Sequence, residues 1–507
     1  MSETKKSPEK WKAETSREER KARLAAMKAK NGGKKPIRFS NPVVRLVIVL
    51  VLVVALLVAG AWYAIRLGVP TQILTAATVG GEKIKGTELN FYFYSICSQY
   101  GLSPDTEEGQ TALKSDSGIE GFKTLADYVK DNAAKEVQNV VMLSTSAKNA
   151  GLSLTEADKQ QIADYFTEAE AQAVMEGVSL DSLLADTFGA GMTKDHMQPI
   201  LERILLANQY SNKKVDEMVF TDEQLNAYYE VNKDSVDVVD YRQFYIPAVY
   251  ESDADEETID LAMKAAKATA EKMLAEVFDD ESFKAAAITY SPEDEKETYQ
   301  TGDPTLRENV GMSYIATTEA STWAYDDARK AGDKIVSESS NGYYVILFKE
   351  KSQPDYNHIS VRHILVDSDR EEGTAEEIAA AKAKAEQILN EFLAGDKTAE
   401  SFGKLAETNS TDTGSASNGG LYEDVAPGAM VEEFDAWCFD PARQPGDTGI
   451  VETEFGFHIM YFEKVEGVAW KIQVSEELKS EAYSKFLEDE AVKYPYTLSK
   501  LGMTFVG

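Results

Sequence analysis

Cysteine and histidine are scarce in this 507-residue chain, with two of the first and four of the second. So few ligands exclude zinc ribbons and metal arrays, and two distant cysteines cannot build a disulfide framework. Glycine (32) and proline (14) are too few for a collagen-like or low-complexity chain. Cations are also short, 53 Lys and Arg against 86 Asp and Glu, for a net charge of −33. Phosphate contacts need clustered Lys and Arg, so the chain as a whole is not expected to bind nucleic acid. What remains is ordinary for globular domains: 43% hydrophobic and 27% charged residues. At roughly 150 residues per domain, about three domains are expected.

The charge is unevenly spread. Residues 1–45 hold 14 Lys/Arg and 5 Asp/Glu, a net of +9, which leaves −42 for the rest. Between the two lies Leu46–Ile65, twenty residues without a charge, bounded by Arg45 and Arg66. As a helix this run rises about 30 Å, the thickness of a bilayer core. Trp62 and Tyr63 sit near its second end, where aromatic rings favour the membrane interface. The run exceeds the roughly 7–15 apolar residues of a signal peptide, and no polar period interrupts it as in a buried core helix. It is expected to be an uncleaved single-span anchor. The Lys/Arg excess would hold the N-terminus in the cytoplasm and place residues from about 67 onward outside. No other run is apolar enough to span. The basic leader is expected to be a solvated helix or tail that touches anionic headgroups. Cys97 and Cys438 are expected to be small core residues rather than partners.

Residues 79–94 suggest a strand and turn leading into a helix. Amphipathic patterns follow at about 122–149, 155–176, 179–187, 193–219 and 221–232. Thr155 with Asp158 and Thr221 with Gln224 have the spacing of helix N-terminal caps. Tyr and Met on these faces suit a packed core, although a groove for unfolded chains would use the same residue types.

Downstream the chain repeats itself. WAYDDARKAGD (323–333) returns as WCFDPARQPGD (437–447), an offset of 114, and GYYVI (342–346) returns as GFHIM (456–460) at the same offset. ESFKAAAITYSPE (281–293) parallels ESFGKLAETNSTD (400–412). Ala- and Lys-rich helices at 258–278 and 374–394 precede these, the second with Thr374 and Glu377 as a capping box. Probable strands at 241–247 and 360–366 come before each helix. The period therefore predicts two tandem α+β units of about 110 residues. Trp323 and Trp437 recur in both and are expected to pack.

The second copy resembles the parvulin-type peptidyl-prolyl cis–trans isomerase domain. The resemblance rests on VRHILV (361–366), FGKLAETNSTDTGSASNGGLY (402–422), PGAMVEEF (427–434), PGDTGIVET (445–453) and EFGFHIMYF (454–462). The whole chain is similar to exported foldases of the PrsA/SurA type, in which a helical chaperone domain carries one or two such units. That resemblance implies an α+β chain in six parts. These are a basic cytoplasmic tail (1–45), a transmembrane anchor (46–66), a helical chaperone domain (67–235), a degenerate parvulin-like domain (236–352), the isomerase domain (355–467), and a C-terminal helical segment (468–507). The helix at 473–493 would return to the helical domain.

Carried over by position, the family's paired histidines match His363 and His458, and its acidic position matches Asp412. The proline pocket matches Met430 and Phe434, with Leu421 as a further wall, and the loop position before the last Gly-x-His matches Phe455. One departure touches the pocket: after Gly419-Gly420, where relatives have Asp-Leu-Gly, this chain has Leu421-Tyr422-Glu423. In the first copy Gln243 and Tyr344 replace the histidines, Ala316 and Ala320 stand at the pocket positions, and Glu293 is near the acid position. That copy is expected to be catalytically dead.

The implied chemistry is rotation about the X–Pro amide, whose barrier is about 18–20 kcal/mol and whose uncatalysed exchange takes tens to hundreds of seconds. No bond breaks, so the reaction calls for no cofactor, metal or nucleophile. It needs an apolar slot for the ring and fixed dipoles near the twisting carbonyl. Expected partners are unfolded exported polypeptides with X–Pro bonds, and the lipid bilayer through the anchor. The alternative is a non-catalytic holdase or scaffold with a vestigial site.

Overall fold

A computed structural model describes residues 21–22, 42–369 and 373–507, with residues 42–50 and 52 described in backbone only. Most of the basic leader, and hence its expected role, lies outside the described residues. A helix, Pro42–Arg66, covers the apolar run. Among the described residues no helix is long and apolar enough to cross a membrane. The chain divides into two compact units, Met1–Lys213 with Leu487–Gly507, and Lys214–Phe486.

In the first unit a Gly80-Gly81 turn, both residues at positive φ, joins β1 (Thr75–Val79) to β2 (Glu82–Lys85). Two left-handed residues are what a two-residue hairpin demands, and glycine supplies them without strain. Helices follow at Gly86–Gln99, Glu107–Lys114, Leu125–Asn149, Glu156–Glu176, Leu180–Phe188 and Lys194–Asp216. Thr155 accepts from the Asp158 amide while the Asp158 carboxylate accepts from the Thr155 amide, so the cap read from sequence forms in both directions. Leu89, Phe93, Val137, Met197 and Ile200 form the core. The end of the chain belongs to this unit: β11 (Tyr496–Leu498) pairs antiparallel with β1, Ala77 opposite Leu498.

In the second unit, helices Asp222–Val231 and Ala469–Ala491 meet through Leu225, Val236, Trp470 and Val474. Two four-stranded antiparallel sheets follow the tandem repeat. The first contains β3 (Val238–Pro247), β4 (Leu306–Gly311), β5 (Lys334–Ser339) and β6 (Gly342–Ser352), in the order β4-β3-β6-β5. The second contains β7 (Asn357–Asp367), β8 (Leu421–Val425), β9 (Thr448–Thr453) and β10 (Gly456–Val468), in the order β8-β7-β10-β9. Each sheet is covered on both faces. In the second, Ile364, Val366, Phe457 and Ile459 bury against helices Ala375–Ala394 and Ala399–Asn409. The opposite face, with Val361, Met460 and Phe462, packs on helix Glu432–Cys438.

The repeated Trp motif is a structural clamp in both sheets. Arg329 lies over Trp323 at 5.2 Å and is flanked by Asp326 and Asp333; Arg443 lies over Trp437 at 4.0 Å and is flanked by Asp440 and Asp447. The last Asp of each motif accepts from the central strand through its carbonyl, from the Phe348 amide at 2.8 Å and the Phe462 amide at 2.9 Å. Both cysteines are free and buried.

Candidate functional site

The site grows from the central strands of the second sheet. Side chains alternate along a strand, so His363 on β7 and His458 on β10 share the face that carries Val361, Met460 and Phe462. In the register His363 stands opposite Met460, and His458 opposite Leu365. The two histidines are therefore diagonal neighbours, within reach of one another. Their Nδ1 atoms are 3.0 Å apart, and both rings are buried, at 3% and 5% exposure.

The hydrogen bonds fix a direction through the pair. His363 Nε2 lies 2.9 Å from Asp412 Oδ2. An ionised carboxylate only accepts, so His363 donates from Nε2 and its Nδ1 must accept. His458 therefore donates from Nδ1, and its Nε2 accepts from the Thr453 hydroxyl at 2.8 Å. The chain runs Thr453 to His458 to His363 to Asp412, with every proton assigned by the carboxylate at its end.

Asp412 sits just beyond helix Ala399–Asn409, where the Ser410 hydroxyl ties the loop to the Leu365 amide at 3.1 Å. Its Oδ2 also accepts from the Ser415 hydroxyl at 2.5 Å and the Tyr422 hydroxyl at 3.0 Å, and its Oδ1 from the Gly414 amide at 3.0 Å. Burial pushes this carboxyl up, but the donors from Ser415, His363, Gly414 and Tyr422 outweigh it and hold Asp412 well below the usual carboxylate range. Burial pushes both imidazoles down. His363 is lowered against the opposing pull of Asp412, and His458, with His363 beside it, falls to about 4. Both rings are thus neutral near pH 7, and Asp412 is charged.

Above this polar floor is a cavity of about 350 Å³ lined by His363, Asp412, His458, Tyr422, Met430 and Phe434, with Leu365, Ala429, Val431 and Phe455 completing it. Phe434 stands edge-on to both imidazoles, 5.5 Å from His363 and 5.4 Å from His458. Phe455 is 54% exposed at the rim. Six of the seven residues singled out in the sequence line this one cavity. Leu421 does not. On β8 the Tyr422 hydroxyl reaches Asp412 and its ring lies 5.2 Å from His363, so alternation turns Leu421 to the other face. The wall expected at Leu421 is supplied by Tyr422. Met430 lies two residues before the helix that carries Phe434. Ser415, Tyr422 and Thr453 were not anticipated. For Tyr422 the signal was present in the departure from Asp-Leu-Gly, whose middle position it fills. Among the described residues no group of His, Cys, Asp and Glu is arranged to hold a metal ion.

In the first sheet the equivalent positions hold different groups. With its amide oxygen turned toward Arg307, Gln243 accepts from Arg307 Nε at 3.1 Å. Tyr344 stacks obliquely on Tyr245, with ring centroids 4.8 Å apart. Ala320 is fully buried, and the exposed Glu293 pairs with Lys296.

A strand-crossed pair of neutral imidazoles, anchored on a carboxylate beneath an apolar cavity, on a four-stranded antiparallel sheet with helices on both faces, defines a parvulin-like unit. Residues 343–465 match the family model of the PPIC-type PPIASE domain. The chain is 35% identical over 107 residues to foldase protein PrsA 1 of Listeria innocua, covering 21% of this chain and 31% of that one. It is 26% identical over 299 residues to chaperone SurA of Hahella chejuensis, covering 57% of this chain and 63% of that one. Peptidylprolyl isomerase PrsA of Bacillus anthracis is similar at 22% identity, with a TM-score of 0.19, over 28% of this chain and 61% of that one. Residues 343–465 thus form a PPIC-type isomerase domain, and the chain around it is similar to PrsA foldases and SurA chaperones. It spans about a third of the Listeria foldase and under two thirds of the Hahella chaperone.

Proposed function

We propose that this chain is an extracytoplasmic, membrane-anchored peptidyl-prolyl isomerase and foldase, whose catalytic centre is the unit at 355–467. The observation that carries the reading is the cavity itself, an apolar slot with a directed His458–His363–Asp412 floor. In this reading Met430, Phe434 and Tyr422 hold the proline ring, with Phe455 at the rim. The floor keeps the dipoles and the Asp412 charge in place while the amide carbonyl swings through its twisted state. Preset dipoles in a water-poor site stabilise such a state without reorganising. Asp412 acts electrostatically and by hydrogen bonding, and forms no covalent bond.

The unit at 236–352 serves in this reading as a spacer or client-binding surface, because Gln243, Tyr344, Ala316 and Ala320 supply neither the imidazoles nor the slot. Residues 67–235 act as the helical chaperone domain and 468–507 as its C-terminal complement. The helix Pro42–Arg66 is the anchor. Support comes from its unpartnered apolar side chains, among them Leu56, Leu57 and Val58, which are 73%, 67% and 64% exposed, a cost in water that lipid removes. Clients would be unfolded exported polypeptides. The test is refolding of a protein limited by a slow prolyl step: the full chain should accelerate the slow phase, and an unchanged phase contradicts the reading.

A further inference from the structure

The charge in the cavity wall has one sign. Asp412 lines it as an ionised carboxylate, and its partners there are the Ser415 and Tyr422 hydroxyls, a neutral imidazole and a backbone amide. None is a cation, so one negative charge in the cavity wall is left uncompensated by the protein. No Lys or Arg lines the cavity. Between Ser410 and Phe462, the stretch that supplies most of the walls, the sequence has ten Asp or Glu and a single Arg. That Arg443 is committed to Trp437, Asp440 and Asp447. Glu433 adjoins Phe434 and Glu454 adjoins Phe455, and both are exposed.

We propose that the cavity selects X–Pro segments in which a Lys or Arg flanks the proline, and rejects those with an acidic or phosphorylated residue there. The inference rests on the isomerase reading and names its substrate class. A cleft of one sign with low-dielectric walls concentrates counter-charged ligands and repels like-charged ones, and the effect is screened within a Debye length, about 8 Å at physiological salt. A cationic side chain beside the ring also supplies the partner that Asp412 lacks. A phosphate or carboxylate there would meet no donor cation.

The experiment measures cis–trans exchange by NMR for Ala-Lys-Pro-Phe, Ala-Leu-Pro-Phe and Ala-Glu-Pro-Phe peptides, with the full chain in a non-ionic detergent, at low and at 0.5 M salt (~4 Å screening). The expected order of kcat/KM is Lys, Leu, Glu, with Lys above Glu about tenfold or more at low salt and the gap narrowing severalfold at high salt. A variant combining Glu433→Gln and Glu454→Gln should narrow the gap while leaving the Leu peptide's rate unchanged. If the Leu peptide is turned over but Lys and Glu peptides match it at both salt concentrations, the charge selection is wrong and the isomerase reading stands. If no peptide exchanges faster than in buffer, both fail.

Discussion

The Nδ1 atoms of His363 and His458 stand 3.0 Å apart on adjacent strands, and only one of them can carry a proton while Asp412 is charged. This pairing makes the second sheet sensitive to acid. The folded-state pKa of His458 is lowered from 6.5 to about 4, so between these values the unfolded chain binds a proton that the folded one does not. Stability is then full above about pH 6.5 and falls as the pH drops toward 4. His363, lowered in the same direction, adds to the loss, and the depressed Asp412 adds more below the ordinary carboxylate pKa. From pH 7.5 to 5 the unit should lose about 2 kcal/mol through His458. Denaturant titration at the two pH values checks this, and in a His458→Asn variant the difference should shrink by that amount. An equal pH dependence in the variant would contradict the assignment.

Asp412 and Tyr422 should separate by magnitude. Asp412→Asn removes the charge that orders every proton in the chain, and kcat/KM should fall about 100-fold, as when a preset transition-state donor is removed. Tyr422→Phe removes one of four hydrogen bonds to that carboxylate, worth about 1 kcal/mol, and keeps the ring wall. Its loss should be tenfold or less. Equal losses would mean that the hydroxyl, not the carboxylate, is the group that matters.

How far the sequence carried this account differs between the fold and the site. Helix boundaries were legible wherever a cap is local: Thr155 with Asp158, Thr221 with Gln224 and Thr374 with Glu377 each form reciprocal bonds three residues apart. Only the central strands of each sheet were legible. The edge strands β8 (LYEDV) and β9 (TGIVET) are short and polar, and each pairs with one neighbour, so no apolar alternation marks them. The site followed the same division. His363, Asp412, Met430, Phe434, Phe455 and His458 were carried by position. Tyr422 and Thr453 act through strand direction and register, which no short motif expresses.

Met430 and Phe434 line one cavity but differ in burial. Phe434 is 3% exposed and part of the core, and Phe434→Ala should destabilise the unit by about 3–5 kcal/mol. Met430 is half-buried. Met430→Ala should raise KM severalfold with the near-UV circular dichroism unchanged. If Met430→Ala lowers kcat alone, the residue is not part of the proline slot.

The Arg443 clamp is structural. Arg443→Ala forfeits a stacked guanidinium over Trp437, at about 1–2 kcal/mol, and the two flanking aspartates. Thermal unfolding should shift down by several degrees while kcat/KM at a permissive temperature stays within twofold. A large kinetic loss in a folded variant would place the clamp in the site.

The most direct test of the central claim is exchange between the cis and trans signals of a proline-containing peptide, recorded by NMR with the full chain present. Wild type should bring exchange from the tens-of-seconds regime into the subsecond range at catalytic concentrations, and Asp412→Asn should remove most of that gain. Exchange that stays at the uncatalysed rate with the folded wild-type chain would contradict the account.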